Sequence, residues 1–212
     1  PNVPILGCMD ASANNYNPNA NTALEYGGEA DNTFSSGGFF NGNQHLIFNA
    51  SSELLIKSAQ FYADNPTTVT FELRSSNGAV LDDTTHFLVQ GQQQLILNFE
   101  VPIGNNMQLG ISNGNSDLYR NDAGAIYPYN IGSVMSITGT SAGSPGYYYF
   151  YYDIEVEVPC DNTVSSIDDL KEISKELVKI LDVLGREVVP NPNQTQFYIY
   201  DDGSIQKQIN IE

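Results

Sequence analysis

Apolar and polar side chains alternate along much of residues 39–160. In Val69-Thr-Phe-Glu-Leu73 every second side chain is apolar, and Leu95-Ile-Leu-Asn-Phe99 has the same spacing. A period of two is typical of an antiparallel strand that buries one face. Gly, Asn, Asp and Pro separate these segments, as expected of turns. The pattern therefore predicts a series of short, half-buried strands.

Eight strands follow from this pattern, and no helical segment interrupts them. They are predicted at 44–50, 53–63, 67–74, 79–88, 92–101, 107–112, 133–138 and 147–158. We expect an all-β domain folded as an antiparallel β-sandwich. A jelly roll is favoured over an immunoglobulin-like sandwich, because the chain has no Trp and its cysteine spacing does not suit the immunoglobulin bridge.

The chain is expected to divide into four regions. Residues 1–38 are an Asn-rich turn segment docked on the sandwich, and residues 39–160 are the sandwich itself. Residues 161–175 are a linker with a short helix, for which Ser166-Ile-Asp-Asp169 supplies a capping box. Residues 176–212 are predicted to form a small β-meander.

Charge and hydropathy exclude some partners. The chain of 212 residues has 8 Lys and Arg against 25 Asp and Glu, a net charge of −17. Nucleic acid is therefore not an expected partner, since phosphate binding requires a basic patch. We also expect no membrane-spanning segment, because no apolar run reaches the required length.

The sequence offers no recognisable catalytic constellation. His45 and His86 are the two histidines, and each lies within an alternating strand outside any hydrolase or metal-binding spacing. We therefore expect a non-enzymatic protein. A hydrolase that uses dispersed carboxylates stays open as an alternative, because the separation it requires is spatial.

The sharpest local feature of the predicted sandwich is Tyr147-Tyr-Tyr-Phe-Tyr-Tyr152. In a regular strand both faces of this segment are aromatic, so one row fills the core and the other is either covered by a loop or exposed. An exposed row would suit sugar rings and favour a carbohydrate-binding module. The predicted ligand face comprises Tyr119, Arg120, Tyr127, Tyr129, Tyr147, Tyr149 and Tyr151.

Two further polar sites each have two interpretations. Arg120 either forms an ion pair that fixes its loop, with Asp153 as the suggested partner, or donates to a bound ligand. The Asn-rich segment near the N-terminus is either a solvated loop or a calcium site built on Asp10, Asn15 and Asn17. No other cofactor is expected.

In the C-terminal segment an apolar strand runs into Leu184-Gly-Arg-Glu187, and a Tyr200-Asp-Asp-Gly-Ser204 turn precedes a terminal alternating strand. With these two motifs the segment resembles the type A sorting domain of cargo of the type IX secretion system of Bacteroidota. The residues that match are Leu181, Asp182, Leu184, Gly185, Arg186, Glu187, Tyr200, Asp201, Asp202 and Gly203.

This resemblance implies a secretion route. Residues 165–212 would be recognised by the outer-membrane translocon and its shuttle barrel, and a sortase would then remove them at the cell surface. We therefore expect an exported protein that passes through the periplasm, acts as a surface adhesin or binding module, and has surface glycans as potential ligands. Residue 1 is Pro, so an export signal is expected to have been removed while the tail remains.

Two other segments resemble modules of secreted Bacteroidota proteins. One is Gly7-Cys-Met-Asp-Ala-Ser-Ala-Asn-Asn-Tyr-Asn-Pro18, in which the usual closing cysteine is absent, and the other is the sandwich region itself. In an exported protein the two cysteines, Cys8 and Cys160, are expected to form one disulfide that joins the ends of the main domain. Two unpaired thiols are the alternative.

Overall fold

The computed structural model describes residues 4–112, 116–162, 176–201 and 203–209. These residues form strands and turns without a helix, and the strand ladders are antiparallel, which confirms the all-β prediction and is consistent with a β-sandwich. The chain divides into two compact units, residues 1–162 and 163–212. Within the described ranges, no helix has the length and apolar character needed to cross a membrane.

Seven strands of the first unit form one sheet, in the order β1-β13-β4-β9-β12, with β2 added beside β9 and β7 beside β4. The strands are β1 (Leu24–Gly27), β2 (Gly37–Phe40), β4 (Leu54–Ala63), β7 (Gly91–Val101), β9 (Leu118–Asn121), β12 (Tyr148–Tyr149) and β13 (Tyr152–Glu157).

Six strands form the second sheet, in the order β10-β11-β3-β8-β5-β6. They are β3 (Leu46–Ala50), β5 (Thr67–Arg74), β6 (Val80–Leu88), β8 (Gly104–Ile111), β10 (Tyr129–Ile131) and β11 (Met135–Thr140). The inward rows of both sheets contribute to a single buried cluster in which Phe48, Phe61, Phe71 and Phe99 are fully enclosed. This arrangement explains the period of two, since alternate side chains of each strand enter the shared core.

Four strand pairs of the first unit are nested along the chain. The innermost pair is β5 with β6, and β4 with β7, β3 with β8 and β2 with β9 successively enclose it. The paired strands alternate between the sheets, giving β2-β9-β4-β7 in one and β3-β8-β5-β6 in the other. Distant parts of the chain are thereby brought to the same sheet face.

The second unit contains a three-stranded antiparallel sheet. Its strands are β14 (Leu177–Leu181), β15 (Thr195–Tyr200) and β16 (Ile205–Ile209), with β15 in the centre. The buried side chains of this sheet include Ile180, Gln196 and Tyr198. The core of this unit is correspondingly small.

The structure corrects several details of the predicted elements. The segment predicted as one strand at 147–158 is two strands, β12 and β13, which pair with different partners. The region predicted as turns at 1–38 supplies β1 and the first half of β2, so a boundary at 38/39 would cut a strand. The predicted helix and its capping box lie outside the described residues, as does Asp202.

The disulfide between Cys8 and Cys160 is confirmed. The Cα atoms of the two residues lie 4.9 Å apart, and the bridge spans 152 positions of the chain. Cys8 is fully buried, and Asn17 N donates to its carbonyl oxygen at 2.9 Å. The bridge thus ties the N-terminal loop to the end of the sandwich, as expected for a cross-link over so long a loop.

Candidate functional site

The Tyr147–Tyr152 segment does not form the exposed aromatic row considered from the sequence. Phe150 has a φ of 63°, in the left-handed region, and this residue separates β12 from β13. All five side chains from Tyr148 to Tyr152 are buried, with at most 3% exposed. The prediction that Tyr149 and Tyr151 belong to a ligand face is therefore wrong, and both are core residues. The break in the strand changes the direction of the side chains, so that those on either side of it are buried.

Hydrogen bonds hold the hydroxyl groups of these buried rings. The Tyr151 hydroxyl donates to the Gly110 carbonyl at 2.5 Å, and the Tyr152 hydroxyl donates to Asn121 Oδ1 at 2.8 Å. Burial raises the pKa of both tyrosines far above the usual value. A buried Tyr requires such a partner, so these bonds fix the rings as parts of the interior.

Tyr127 and Tyr129 pack against this aromatic segment. Tyr127 stacks on Tyr148 with ring centroids 6.4 Å apart, and its hydroxyl donates to the Tyr147 carbonyl at 2.7 Å. The Tyr129 hydroxyl donates to the Glu29 carboxylate, and burial together with that bond raises the pKa of Tyr129 to about 12. Both hydroxyls are therefore engaged within the protein.

Two aromatic rings lie close to the Arg120 guanidinium. Its guanidinium carbon lies 5.3 Å from the Phe40 ring centroid and 4.9 Å from that of Tyr147. Its ion pair is with Asp122, at 3.1 Å between Nη1 and Oδ2, which corrects the suggested pairing with Asp153. The geometry favours the interpretation in which Arg120 fixes the loop, since two rings and a carboxylate of the protein contact the guanidinium.

The oxygens proposed for calcium accept hydrogen bonds within the N-terminal loop. Ser12 N and Oγ donate to Asp10 Oδ1 at 2.9 and 2.7 Å, which lowers the pKa of Asp10. Asp161 N donates to Asn15 Oδ1 at 2.8 Å, and Asn19 N donates to Asn17 Oδ1 at 3.0 Å. The described part of the chain contains no group of three or more His, Cys, Asp or Glu residues able to hold a metal ion.

The two histidines lie within strand-rich parts of the sandwich. Burial, with a contribution from Arg74, lowers the pKa of His45. His86 Nε2 lies 2.8 Å from the Ile96 carbonyl oxygen and 3.5 Å from Thr84 Oγ1. His86 of β6 therefore contacts the backbone of β7, which belongs to the other sheet.

Six of the residues assigned to the sorting signal form a tight turn after β14. Asp182 Oδ1 accepts from the backbone amides of Leu184 and Arg186, each at 2.9 Å. Asp182 Oδ2 lies 2.8 Å from Arg186 Nε, and these bonds, led by the Arg186 amide, lower the pKa of Asp182. Gly185 has a φ of +79°, and Leu181 bridges to Glu187 across the turn.

The second segment that was assigned to the sorting signal lies at the opposite end of this small sheet. Leu177 pairs with Tyr200, whereas Leu181 pairs with Phe197 at the end that holds the first turn. Gly203 N donates to the Tyr200 carbonyl at 3.0 Å, and Asp201 Oδ1 accepts from Glu176 N at 3.1 Å. The structure therefore does not bring the two motifs together.

A polar surface that the sequence analysis did not identify covers the outer face of the seven-stranded sheet. We call it the glutamine face. Its side chains come from β4, β7 and β13, on the side of each strand that is directed away from the core. The residues are Ser58, Gln60, Tyr62, Gln92, Gln94 and Glu155.

Two hydrogen-bonded chains cross the glutamine face. In the first, Gln94 Nε2 donates to Ser58 Oγ at 2.9 Å, and Ser58 Oγ donates to Glu155 Oε2 at 2.5 Å. In the second, Gln92 Nε2 donates to Gln60 Oε1 at 2.7 Å, and Gln60 Nε2 donates to the Tyr62 hydroxyl. Ser58 and Gln60 are buried at the floor, while Gln92 and Gln94 are exposed above them.

Aromatic side chains border the glutamine face at both ends. At one end the Tyr62 ring lies 6.4 Å from that of Tyr119, which packs edge-on against Phe39 at 5.4 Å. At the other end Tyr26 pairs with Glu155 across β1 and β13. Phe39 and Tyr26 are 46% and 49% exposed. Of the predicted ligand-face residues, Tyr119 is the one that borders this surface.

Two β-bulges lie beside the centre of the glutamine face. The β4–β7 ladder shifts register next to Ser58, where Asn98 has a φ of 52°. The β4–β13 ladder shifts on the other side, where Asp153 has a φ of 42°. Bulges of this kind redirect side chains and are frequent beside functional sites. Each left-handed residue costs about 1 kcal/mol, so the surrounding contacts must maintain it.

The sequence does contain a weak signal for the glutamine face. Ser58, Gln60 and Tyr62 alternate with core residues of β4, and Gln92 and Gln94 alternate in the same way in β7. Such alternation locates the solvent side of each strand. It does not show that the two strands are neighbours, and this adjacency is what creates the surface.

No protein-family model, no curated protein and no solved structure matches this chain.

Proposed function

We propose that this chain is a cell-surface protein of the type IX secretion route, with two separate tasks. Residues 163–212 act as the sorting unit, which the outer-membrane translocon and its shuttle barrel recognise and a sortase then removes. Residues 1–162 act after delivery as a non-enzymatic binding module or adhesin.

The observation that carries this proposal is the form of the C-terminal unit. The Leu181–Glu187 motif is a closed turn held by Asp182, within a compact unit that has its own small sheet. The exposed side chains of Val183 and Leu184, and β16 at the edge of the described three-stranded sheet, provide groups that a receptor can contact. A signal carried on a separate unit can be recognised and removed without disturbing the sandwich.

We further propose that the sandwich is of the jelly-roll type. The four nested pairs and the two four-strand orders support this assignment, because a jelly roll is a set of nested hairpins wrapped into two sheets. The remaining strands, β1 and β10 to β13, extend this framework. Sandwiches of this kind commonly bind ligands on an exposed sheet face, which is compatible with the proposed role as a binding module.

The secretion proposal is tested by deletion of residues 163–212 in a Bacteroidota host with an active type IX system. The full chain is expected at the cell surface, detected by antibody on intact cells, and the truncated chain is expected to accumulate in the periplasm. A Gln108→Ala full-length variant controls for expression. Surface exposure of the truncated chain would overturn the assignment of the sorting unit.

A further inference from the structure

We propose that the glutamine face binds a neutral polysaccharide. The inference rests on the proposed role of residues 1–162 as a binding module and names its ligand class and its site. It replaces the Tyr147, Tyr149 and Tyr151 row, which is not exposed as a row.

The first argument is the hydrogen-bonding capacity of the surface. Amide side chains present both donors and acceptors, as do hydroxyl groups, so Gln92 and Gln94 match the mixed edge of a sugar ring. The Tyr62 hydroxyl accepts from Gln60 Nε2, and its own proton is a donor that a ligand oxygen could accept. Burial, together with the charges of Asp31 and Asp153, raises the pKa of Tyr62 and keeps this proton in place.

The second argument is that the side chains of this surface are already fixed before a ligand binds. Five of the six polar side chains already bond to a side chain of the adjacent strand; they are Ser58, Gln60, Gln92, Gln94 and Glu155. Long side chains lose rotamer freedom when a ligand fixes them, and a surface that is already fixed avoids part of that cost. The glutamine face is therefore built as a binding surface, whereas isolated exposed glutamines would not be.

The third argument is the size and polarity of the surface. Tyr26, Glu155, Ser58 and Ile96 form one row across four strands, a span of about 14 Å at the usual strand separation. Tyr26 and Ile96 offer apolar contact at the ends of the row, with 49% and 58% of their surfaces exposed. An extended chain of sugar rings has the matching alternation of apolar faces and polar edges.

The fourth argument is charge. Carboxylates of Asp31, Asp153 and Glu155 act on the tyrosines of this surface. Lys57, the basic side chain beside it, is already paired with Glu157 at 2.8 Å. An anionic polysaccharide would be repelled, so the surface is complementary to a neutral one.

The test measures binding of the full chain to soluble neutral polysaccharides, namely xyloglucan, arabinoxylan, galactomannan and mixed-linkage β-glucan, with alginate as the anionic probe. Affinity electrophoresis identifies the ligand and calorimetry gives the dissociation constant. We expect at least one neutral polysaccharide to bind. A Gln92→Ala/Gln94→Ala variant is expected to raise the dissociation constant at least about tenfold, because two ligand hydrogen bonds are lost.

Two further variants make the result specific to this surface. Phe39→Ala, which alters an exposed ring, should also weaken binding, whereas Gln108→Ala on the opposite sheet should leave it unchanged. Binding of alginate alone, no binding to any neutral polysaccharide, or full affinity in the double variant would overturn the inference. Because these measurements use purified protein, their failure would leave the deletion test of secretion unaffected.

Discussion

Arg120 is the residue that most clearly connects the aromatic segment to the loops around it. Its guanidinium lies close to the rings of Phe40 and Tyr147 and pairs with Asp122, and 18% of its side chain is exposed. Stacking and burial of the aliphatic stem make such a residue important for packing as well as for charge.

We therefore expect Arg120→Ala to lower the free energy of unfolding by about 2 kcal/mol, through lost cation–π contacts and packing. Urea denaturation followed by circular dichroism measures the change. Arg186→Ala is the control, because Arg186 is exposed in the other unit and its ion pair contributes little to global stability. Unchanged stability of Arg120→Ala would mean that the residue is free to serve a ligand.

At the residue scale, the sequence identified the aromatic segment but did not show which of its side chains are buried. The choice between covered and exposed tyrosines stayed open because alternation assumes a continuous strand. No turn-forming residue marks the break at Phe150 in the sequence, because the segment consists of aromatic residues that favour strands. Neighbouring strands, β9 and β4, impose the break through their different pairing with β12 and β13.

At the scale of the elements, the turn after β14 combines a side-chain clamp with one glycine. Asp182 accepts two backbone amides, and Gly185 adopts a φ of +79° that costs other residues energy. The turn is thus specified by a few residues that all lie within the proposed sorting motif.

We expect Gly185→Ala to destabilise the C-terminal unit by about 1 kcal/mol, because alanine resists the left-handed conformation. Hydrogen exchange of the β14 and β15 amides in the full chain should become about fivefold faster, as follows from that free energy. Gly143→Ala is the matched control, since Gly143 has open space around its Cα and no positive φ. Equal exchange rates in both variants would show that the turn does not depend on Gly185.

The strands with several alternating positions were found from the sequence to within a few residues, as β5 and β7 illustrate. The short strands β1, β2, β9 and β10 were not, because three or four residues contain too few alternations to establish a period. These short strands are fixed by partners that are distant in the sequence. The pair of β2 with β9 is the outermost of the nested pairs.

At the scale of the whole molecule, the chain separates into a large sandwich closed by the Cys8–Cys160 bridge and a small C-terminal unit. The bridge could be anticipated from the two cysteines together with the expectation that the chain is exported. The glutamine face could not, since it joins side chains from three strands that are 36 and 97 positions apart along the chain. The pairing of β4 with β7 on one side and with β13 on the other brings them side by side.

The division of the chain into a delivered module and a sorting unit is tested most directly by transfer of the C-terminal unit. Residues 163–212 are fused to a periplasmic reporter protein in a Bacteroidota host, and the reporter is assayed on intact cells. We predict surface exposure in cells with an active type IX system, and retention in the periplasm when the translocon is deleted or when Asp182→Ala and Gly185→Ala are introduced together. A reporter that stays periplasmic in the active strain, or that reaches the surface without the translocon, would contradict the account.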